Sequence, residues 1–237
     1  MQLFFNPNIS EEVKEITLDK EESRHIVKVL RMMDGDKFKI TNGKGSFFNA
    51  EITNPNPKAC LVKIISEEIQ NPLPYQLHLA VAPTKLNDRF EWFLEKATEI
   101  GISEITPIFC DHSERKAIKR ERYEKIIQGA MKQSLKAYLP ILNPAISFRE
   151  FLESKAKENT LKFIAHCEET DKKSLKSKLV PKESVLILIG PEGDFSSHEI
   201  KLSIKSGFIP VSLGNTRLRT ETAAIVACHS VAFVNEL

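Results

Sequence analysis

Five apolar residues, Val185-Leu186-Ile187-Leu188-Ile189, lead straight into Gly190-Pro191-Glu192-Gly193-Asp194-Phe195. A second glycine turn follows downstream, Ser212-Leu213-Gly214-Asn215-Thr216-Arg217-Leu218-Arg219-Thr220-Glu221-Thr222. Such turns present backbone amides to a cleft, and glycine lets the main chain approach a ligand closely. Glu192 and Asp194 add two carboxylates to the first turn. A phosphate would meet costly repulsion there, so a ligand carrying positive charge suits the cleft better. Nucleotide-loop patterns (Gly-x-Gly-x-x-Gly, Gly-Lys-Ser/Thr) are absent, as are His-Glu-x-x-His and Gly-x-Ser-x-Gly. His112 beside Ser113 is read as an isolated pair.

These turns must be held by rigid elements. A strand without a polar face belongs in the middle of a parallel sheet covered on both sides, and ligands of such sheets gather at the carboxyl ends of the strands. Ser196 and Glu199 have capping-box spacing for a following helix from about His198. Strands are predicted at Gln76 to Ala82, Ile102 to Phe109, Leu161 to Ala165 and Pro210 to Leu213. Helices are predicted from the Phe90, Phe93, Leu94, Ala97, Ile100 stripe, from a basic segment around Tyr123 to Met131, and from Thr220 to about Asn235. This alternation gives an α/β domain on a largely parallel sheet. The last helix is apolar nearly all round, so it is expected in the core or against another chain.

Asn71-Pro72-Leu73-Pro74 reads as a linker, dividing the chain into residues 1–71 and 73–237. Upstream, Asp19 with Glu22 is positioned to cap a short helix whose apolar stripe is Ile26, Val29, Leu30 and Met33. Arg24, Lys28 and Arg31 would share the opposite face. Short strands then alternate with glycine turns, at Phe38 to Ile40, Phe47 to Ile52 and Ala59 to Ile65, which a small β-barrel would close.

The 237 residues carry 34 basic and 32 acidic side chains, a net charge of +2, so any affinity for nucleic acid must come from local patches. One lies between His112 and Lys136, where eight basic residues (Arg115, Lys116, Lys119, Arg120, Arg122, Lys125, Lys132, Lys136) face three acidic ones. Phosphate contacts are its functional reading; a solvated helix face with Glu121–Lys125 pairing is the other. No apolar run approaches the roughly 20 residues of a membrane span, and the amino terminus lacks signal-peptide features, so a cytoplasmic protein without membrane contact is expected. The four scattered cysteines argue against a metal site or a disulfide framework and are expected to be reduced and mostly buried.

Gly190-Pro191-Glu192-Gly193, followed by Leu213-Gly214 and Leu218-Arg219-Thr220-Glu221-Thr222-Ala223-Ala224, resembles the SPOUT methyltransferases of the RsmE family. His25-Ile26-Val27-Lys28-Val29-Leu30-Arg31 matches that family's amino-terminal signature. Glu95-Lys96-Ala97-Thr98-Glu99-Ile100-Gly101 and Ser113-Glu114-Arg115 match its middle, so the likeness covers nearly the whole chain. The chain departs from the pattern at Asp194, where relatives often have a second glycine, and at Met131 to Lys136, which lacks the usual glutamate before the glutamine.

The resemblance implies methylation of N3 of one uridine in 16S rRNA of the small ribosomal subunit, with S-adenosylmethionine as cofactor and no metal. It implies an N-terminal PUA-like β-barrel that binds RNA, joined to a SPOUT α/β domain with a C-terminal trefoil knot, acting as a homodimer. The donor would lie against Ala165, His166, Ile189, Gly190, Pro191, Glu192, Gly193, Leu213, Gly214, Leu218, Thr222 and Ala223. RNA contacts are expected from Arg24, Lys28, Arg31, Arg115 and Lys116.

Deprotonating the uracil N3 spreads negative charge onto its carbonyl oxygens, where a guanidinium stabilises the transition state. Arg219 is the first choice for that role and Arg217 the second; the bland reading makes either a loop arginine holding Glu221. Glu221 or Glu192 would be the base, or would cap a helix or hold the donor's amino group. Two other functions fit the same scaffold: a non-catalytic RNA-binding assembly factor, and a ribose 2′-O-methyltransferase of the same superfamily.

Overall fold

The computed structural model describes residues 2–155 and 160–236. Its contacts divide into two compact units, Met1–Pro72 with Met131–Leu139, and Leu73–Ala130 with Pro140–Leu237. Each has its own core.

In the first unit, β1 (Leu3–Phe5), β2 (Glu15–Thr17), β3 (Lys37–Thr41), β4 (Ser46–Asn54) and β5 (Leu61–Ile69) form one sheet in the order β1-β3-β4-β5-β2. β1 runs parallel to β3 and the other pairs are antiparallel. The sheet wraps a core containing Phe4, Phe38, Ile40, Phe48, Ile52 and Val62. Among the described residues no ladder joins β1 to β2, which are the two edges of this barrel-like sheet. The distant segment Met131–Leu139 is stitched onto it: Thr41 Oγ1 and Gly45 N donate to the Ala137 carbonyl, and Ala137 N donates to Gln70 Oε1.

Asp19 caps α1 (Lys20–Arg24), its carboxylate accepting from Glu22 N at 2.8 Å. The expected stripe beyond it holds at Ile26 and Leu30 but not at Val29 and Met33. His25–Val29 winds as a π-helix, with Leu30 N donating to the His25 carbonyl, and Arg31 ends it in the left-handed region at φ 57°. The wider turn rotates the residues that follow. Ile26 is buried, while Val29 and Met33 are 65% and 69% exposed. Leu30 packs inward as expected, and Val27 and Met32 join it there in place of Val29 and Met33.

The second unit contains β6 (Leu77–Val81), α2 (Asn87–Ile100), β7 (Glu104–Phe109), α3 (Arg120–Gln133), β8 (Ile141–Leu142), β9 (Ile146–Ser147), α4 (Phe148–Lys155), β10 (Leu161–Ala165), β11 (Lys173–Ser174), β12 (Val185–Ile189), α5 (Ser197–Lys205), β13 (Ile209–Ser212) and α6 (Thr220–Asn235). Its sheet has the order β11-β13-β10-β12-β6-β7-β8, with β9 beside β7, and every pairing is parallel. The apolar strand β12 is buried at every position, between β10 and β6. Phe148, Phe151, Leu152, Ile200 and Phe208 pack with Leu186 and Leu188. α6 packs against α2, β6 and β12. It is apolar nearly all round but buries only one face, through Ala224, Ala227, Cys228 and Val231, and leaves Phe233 exposed.

Candidate functional site

The parallel register of three adjacent strands assembles the site. Ala165 at the end of β10 pairs with Ile189 at the end of β12 and with Val211 near the end of β13. The carboxyl ends therefore align, and the turns leaving them, at 166–167, 190–195 and 213–219, meet in one crevice, as open parallel sheets favour.

Pro191 accepts from Asp194 N at 2.9 Å, which closes the turn after β12. The left-handed residue of this turn is Asp194, at φ 65°, rather than Gly190 or Gly193. Aspartate tolerates that region better than most side chains because it can hydrogen-bond locally. Its Oδ1 accepts from Phe195 N at 2.8 Å, and its Oδ2 accepts from Cys167 N at 2.6 Å. The carboxylate thus latches the β12 turn to the β10 turn. Gly193 is needed for close approach: a Cβ there would lie 3.0 Å from the Cβ of His112.

His112 is not the isolated residue expected from sequence. Its Nδ1 lies 3.1 Å from the carbonyls of both Gly193 and Asp194, and because carbonyls only accept, that nitrogen carries the proton. Glu192 Oε1 accepts from Lys85 N at 2.9 Å, and Arg115 donates to the carbonyls of Thr84 and Lys85 at 3.0 and 2.9 Å. Ser196 and Glu199 form the expected capping box of α5, and Glu199 Oε1 also accepts from Asp111 N at 2.9 Å. Loops 84–85 and 111–115 therefore brace the turn from behind.

Two cavities open at the crevice. One, of about 420 Å³, is lined by Ala165, His166, Cys167, Lys172, residues 211–218 and Ala223. The other, of about 270 Å³, is lined by Ala165, Cys167, Ile189, Gly190, Pro191, Glu192, Asp194, residues 217–220 and Ala223. Shared walls at Ala165, Cys167, Arg217, Leu218 and Ala223 make them two halves of one cleft of ligand-pocket size. Its carboxylates, Glu192 and Asp194, are accompanied by Lys172, Arg217 and Arg219, so it suits a ligand bearing charges of both signs.

His166 is 7% exposed, and neither ring nitrogen has a hydrogen-bond partner. Burial, and secondarily the nearby Lys172 ammonium, pushes its pKa below the ordinary histidine value. A neutral imidazole thus offers one donor and one acceptor to whatever fills the cleft. Buried polar atoms are seldom left unsatisfied, which makes His166 a candidate for ligand contact.

A further cavity, of about 390 Å³, lies on the other side of Arg219 and is lined by Asp88, Arg89, Trp92, Arg219, Glu221 and Thr222. Glu221 is 8% exposed; its Oε1 lies 3.9 Å from Arg89 Nε, and its Oε2 is buried without a partner. The partner of Glu221 is therefore Arg89, where the bland sequence reading supposed Arg217 or Arg219. Thr220 Oγ1 donates to the Gly190 carbonyl at 3.0 Å and ties the start of α6 to the β12 turn.

Among the expected donor contacts, Ala165, His166, Ile189, Gly190, Pro191, Glu192, Leu213, Gly214, Leu218 and Ala223 line the cleft. Gly193 supports it from behind, and Thr222 lines the cavity beyond Arg219. The cysteines are free and mostly buried, as expected; Cys167 alone among them is exposed, where its turn carries it into the cleft. Arg24, Lys28 and Arg31 are exposed on the first unit and Lys116 on the second, whereas the Arg115 guanidinium is engaged with the 84–85 carbonyls. Much of the basic run is paired: Arg120 with Glu124, Arg122 with Glu91, and Lys132 with Glu22. No group of three or more potential metal ligands occurs among the described residues, and no helix there is long and apolar enough to cross a membrane.

Residues 71–232 match the RNA methyltransferase domain family and residues 18–65 the RNA methyltransferase PUA domain family. The chain is 33% identical to a ribosomal RNA small subunit methyltransferase E of Synechocystis sp., over 91% of this chain and 72% of that protein. A solved protein of Porphyromonas gingivalis is similar in structure at a TM-score of 0.91 and 41% identity, covering 99% of this chain and 98% of the other. A ribosomal RNA small subunit methyltransferase E of Neisseria gonorrhoeae, solved bound to S-adenosylmethionine, has a TM-score of 0.88 at 26% identity, covering 99% and 98% of the two chains.

Proposed function

We propose that this chain, which belongs to the RNA methyltransferase family and to its ribosomal RNA small subunit methyltransferase E group, methylates N3 of one uridine in 16S rRNA. Methylation of ribosomal RNA with S-adenosylmethionine follows from that membership; the uridine N3 is the finer reading. The observation that carries it is the placement of Arg219 between a donor-sized cleft and a cavity holding a buried carboxylate. S-adenosylmethionine supplies an activated methyl group on a cationic sulfur. Main chain at Ile189, Gly190, Leu213, Gly214 and Leu218 would hold its adenosine, with Glu192 and Asp194 near its positive groups. His166 would satisfy its orphaned nitrogens against the ligand.

Orientation does most of the work in such a transfer, and the protein must also manage the N3 proton. Glu221 accepts that proton and Arg219 stabilises the charge that spreads onto the carbonyl oxygens. Arg219→Ala should lower methyl transfer by about 10²-fold or more while donor affinity, measured by calorimetry, is retained. Glu221→Gln should slow the chemical step more than it weakens donor binding. Mass spectrometry of 16S rRNA from cells lacking the protein checks the position: loss of a ribose methyl, or of no methyl, would refute N3 chemistry.

The finer architecture is read the same way. Residues 1–71 would select the RNA through Arg24, Lys28 and Arg31, with Lys116 adding contacts from the domain at 73–237. A trefoil knot in that domain is supported by the path of the chain, since β13 lies outside β10 while α6 returns to pack on β6 and β12. Exposed Phe233 on an otherwise apolar helix supports a homodimer through α6. The cytoplasm is the compartment where ribosomal RNA would be met.

A further inference from the structure

The cavity beyond Arg219 has a composition that catalysis alone does not require. Trp92 projects from α2 with 45% of its surface exposed, although tryptophan carries a large apolar area that folding normally covers. Beside it lie Arg89 and Arg219, with Glu221 and its unpartnered buried Oε2. Arg89 sits 3.9 Å from the other carboxylate oxygen and so orients Glu221.

We infer that this cavity is the acceptor-base site, in which Trp92 stacks on the target base while Arg89, Glu221 and Arg219 read its imide edge. The inference rests on the function proposed above and names the part of the site that holds the substrate. An imide presents acceptor, donor, acceptor: two carbonyl oxygens flanking an N–H. Two guanidiniums with a carboxylate present donor, acceptor, donor, the complementary order. Cytosine offers an acceptor at N3 and an amino donor at position 4, so it sets a lone pair against the carboxylate and N–H against N–H. When the N3 proton moves to Glu221 Oε2, the electron pair left on the base is shared with both carbonyl oxygens, each facing a guanidinium. Trp92 and Arg89 are then both base-binding residues, and Arg89 also sits against the Glu221 carboxylate.

Trp92 is the chain's sole tryptophan, so its fluorescence reports on this cavity directly. Titration of the full-length protein with a uridine oligonucleotide should quench that emission, and a cytidine oligonucleotide should need a concentration about tenfold or more higher. Arg89→Met and Glu221→Gln should erase the preference for uridine while leaving calorimetric affinity for S-adenosylmethionine within about twofold. Trp92→Ala should lower kcat/KM for the ribosomal RNA substrate by about tenfold to a hundredfold, with Trp92→Phe recovering most of the loss. Absence of quenching, equal quenching by both oligonucleotides, or normal methylation by Trp92→Ala would overturn the assignment. So would light scattering in which Trp92→Ala loses activity only because it changes oligomeric state, which would make this face an interface. Failure of the wild-type protein to bind S-adenosylmethionine would instead sink the methyltransferase reading itself.

Discussion

The Asp194 latch allows a test in which backbone conformation and hydrogen bonding separate. At φ 65° an alanine costs roughly 1–2 kcal/mol that glycine does not. The carboxylate also accepts from Cys167 N at 2.6 Å and from Phe195 N at 2.8 Å. Hydrogen bonds to an ionised acceptor each contribute about 1.5–3 kcal/mol, and the half-exposed setting argues for the lower end. Asp194→Gly removes both bonds but adds no strain, for a loss of about 2–4 kcal/mol. Asp194→Ala adds the conformational cost, for about 3–6 kcal/mol. Asp194→Asn tolerates the left-handed region and keeps one accepting oxygen, so it should lose least. The order of stability in urea denaturation is therefore Asp, Asn, Gly, Ala. Donor affinity by calorimetry should fall in the same order, because Cys167 and Asp194 are walls of the same cleft. Equal stability of the glycine and alanine variants would refute the conformational part of the reasoning. A glycine variant as stable as the parent would refute the latch.

Burial holds the His166 pKa below the ordinary value of about 6.5, so just under that pH the unfolded chain binds more protons than the folded one. Stability should rise with pH through that window and be complete above it; His166→Asn should flatten the rise in thermal melts, and an unchanged slope would contradict the assignment. Replacing Arg24, Lys28 and Arg31 together with alanine should reduce the slope of log affinity for RNA against log salt by about 2–3, with donor affinity unaltered. A slope equal to that of the parent would show that this exposed face meets no phosphate.

Elements whose hydrophobic period is long and uninterrupted were legible in the chain. β12 and α6 begin and end where expected, and α2 and α3 contain their expected stripes, because burial on both faces of the sheet and along a helix stripe writes itself into composition. α4, β8, β9 and β11 were not foreseen: they are short, and their partners are distant in sequence. The amino-terminal helix misled for a different reason. Its spacing fits a 3.6-residue period through Val29 and Met33, but the π-turn at His25–Val29 changes the period midway, and nothing in the side-chain pattern announces it. The docking of Met131–Leu139 on the first unit depends on main-chain hydrogen bonds at Ala137, which leave no trace in residue type.

The same distinction governs the site. Leu218 to Thr222 reads as a motif because one short stretch must serve two cavities. Arg219 stays extended at φ −71° and ψ 157° as the N-cap of α6, while Thr220 turns back to the Gly190 carbonyl and Glu221 enters the first helical turn. Successive residues thus point to different sides of the chain, and their functions are forced to be contiguous. The bracing layer has no such constraint. His112 reaches a turn 81 residues away and Lys85 a carboxylate 107 residues away, and any residue with a suitable N–H at either place would serve. Trp92 and Arg89 fall between the two cases, one helical turn apart on an otherwise ordinary amphipathic helix. Only the fold, by setting α2 against α6, reveals that an exposed tryptophan and a half-buried arginine share a cavity with a carboxylate that has an oxygen to spare.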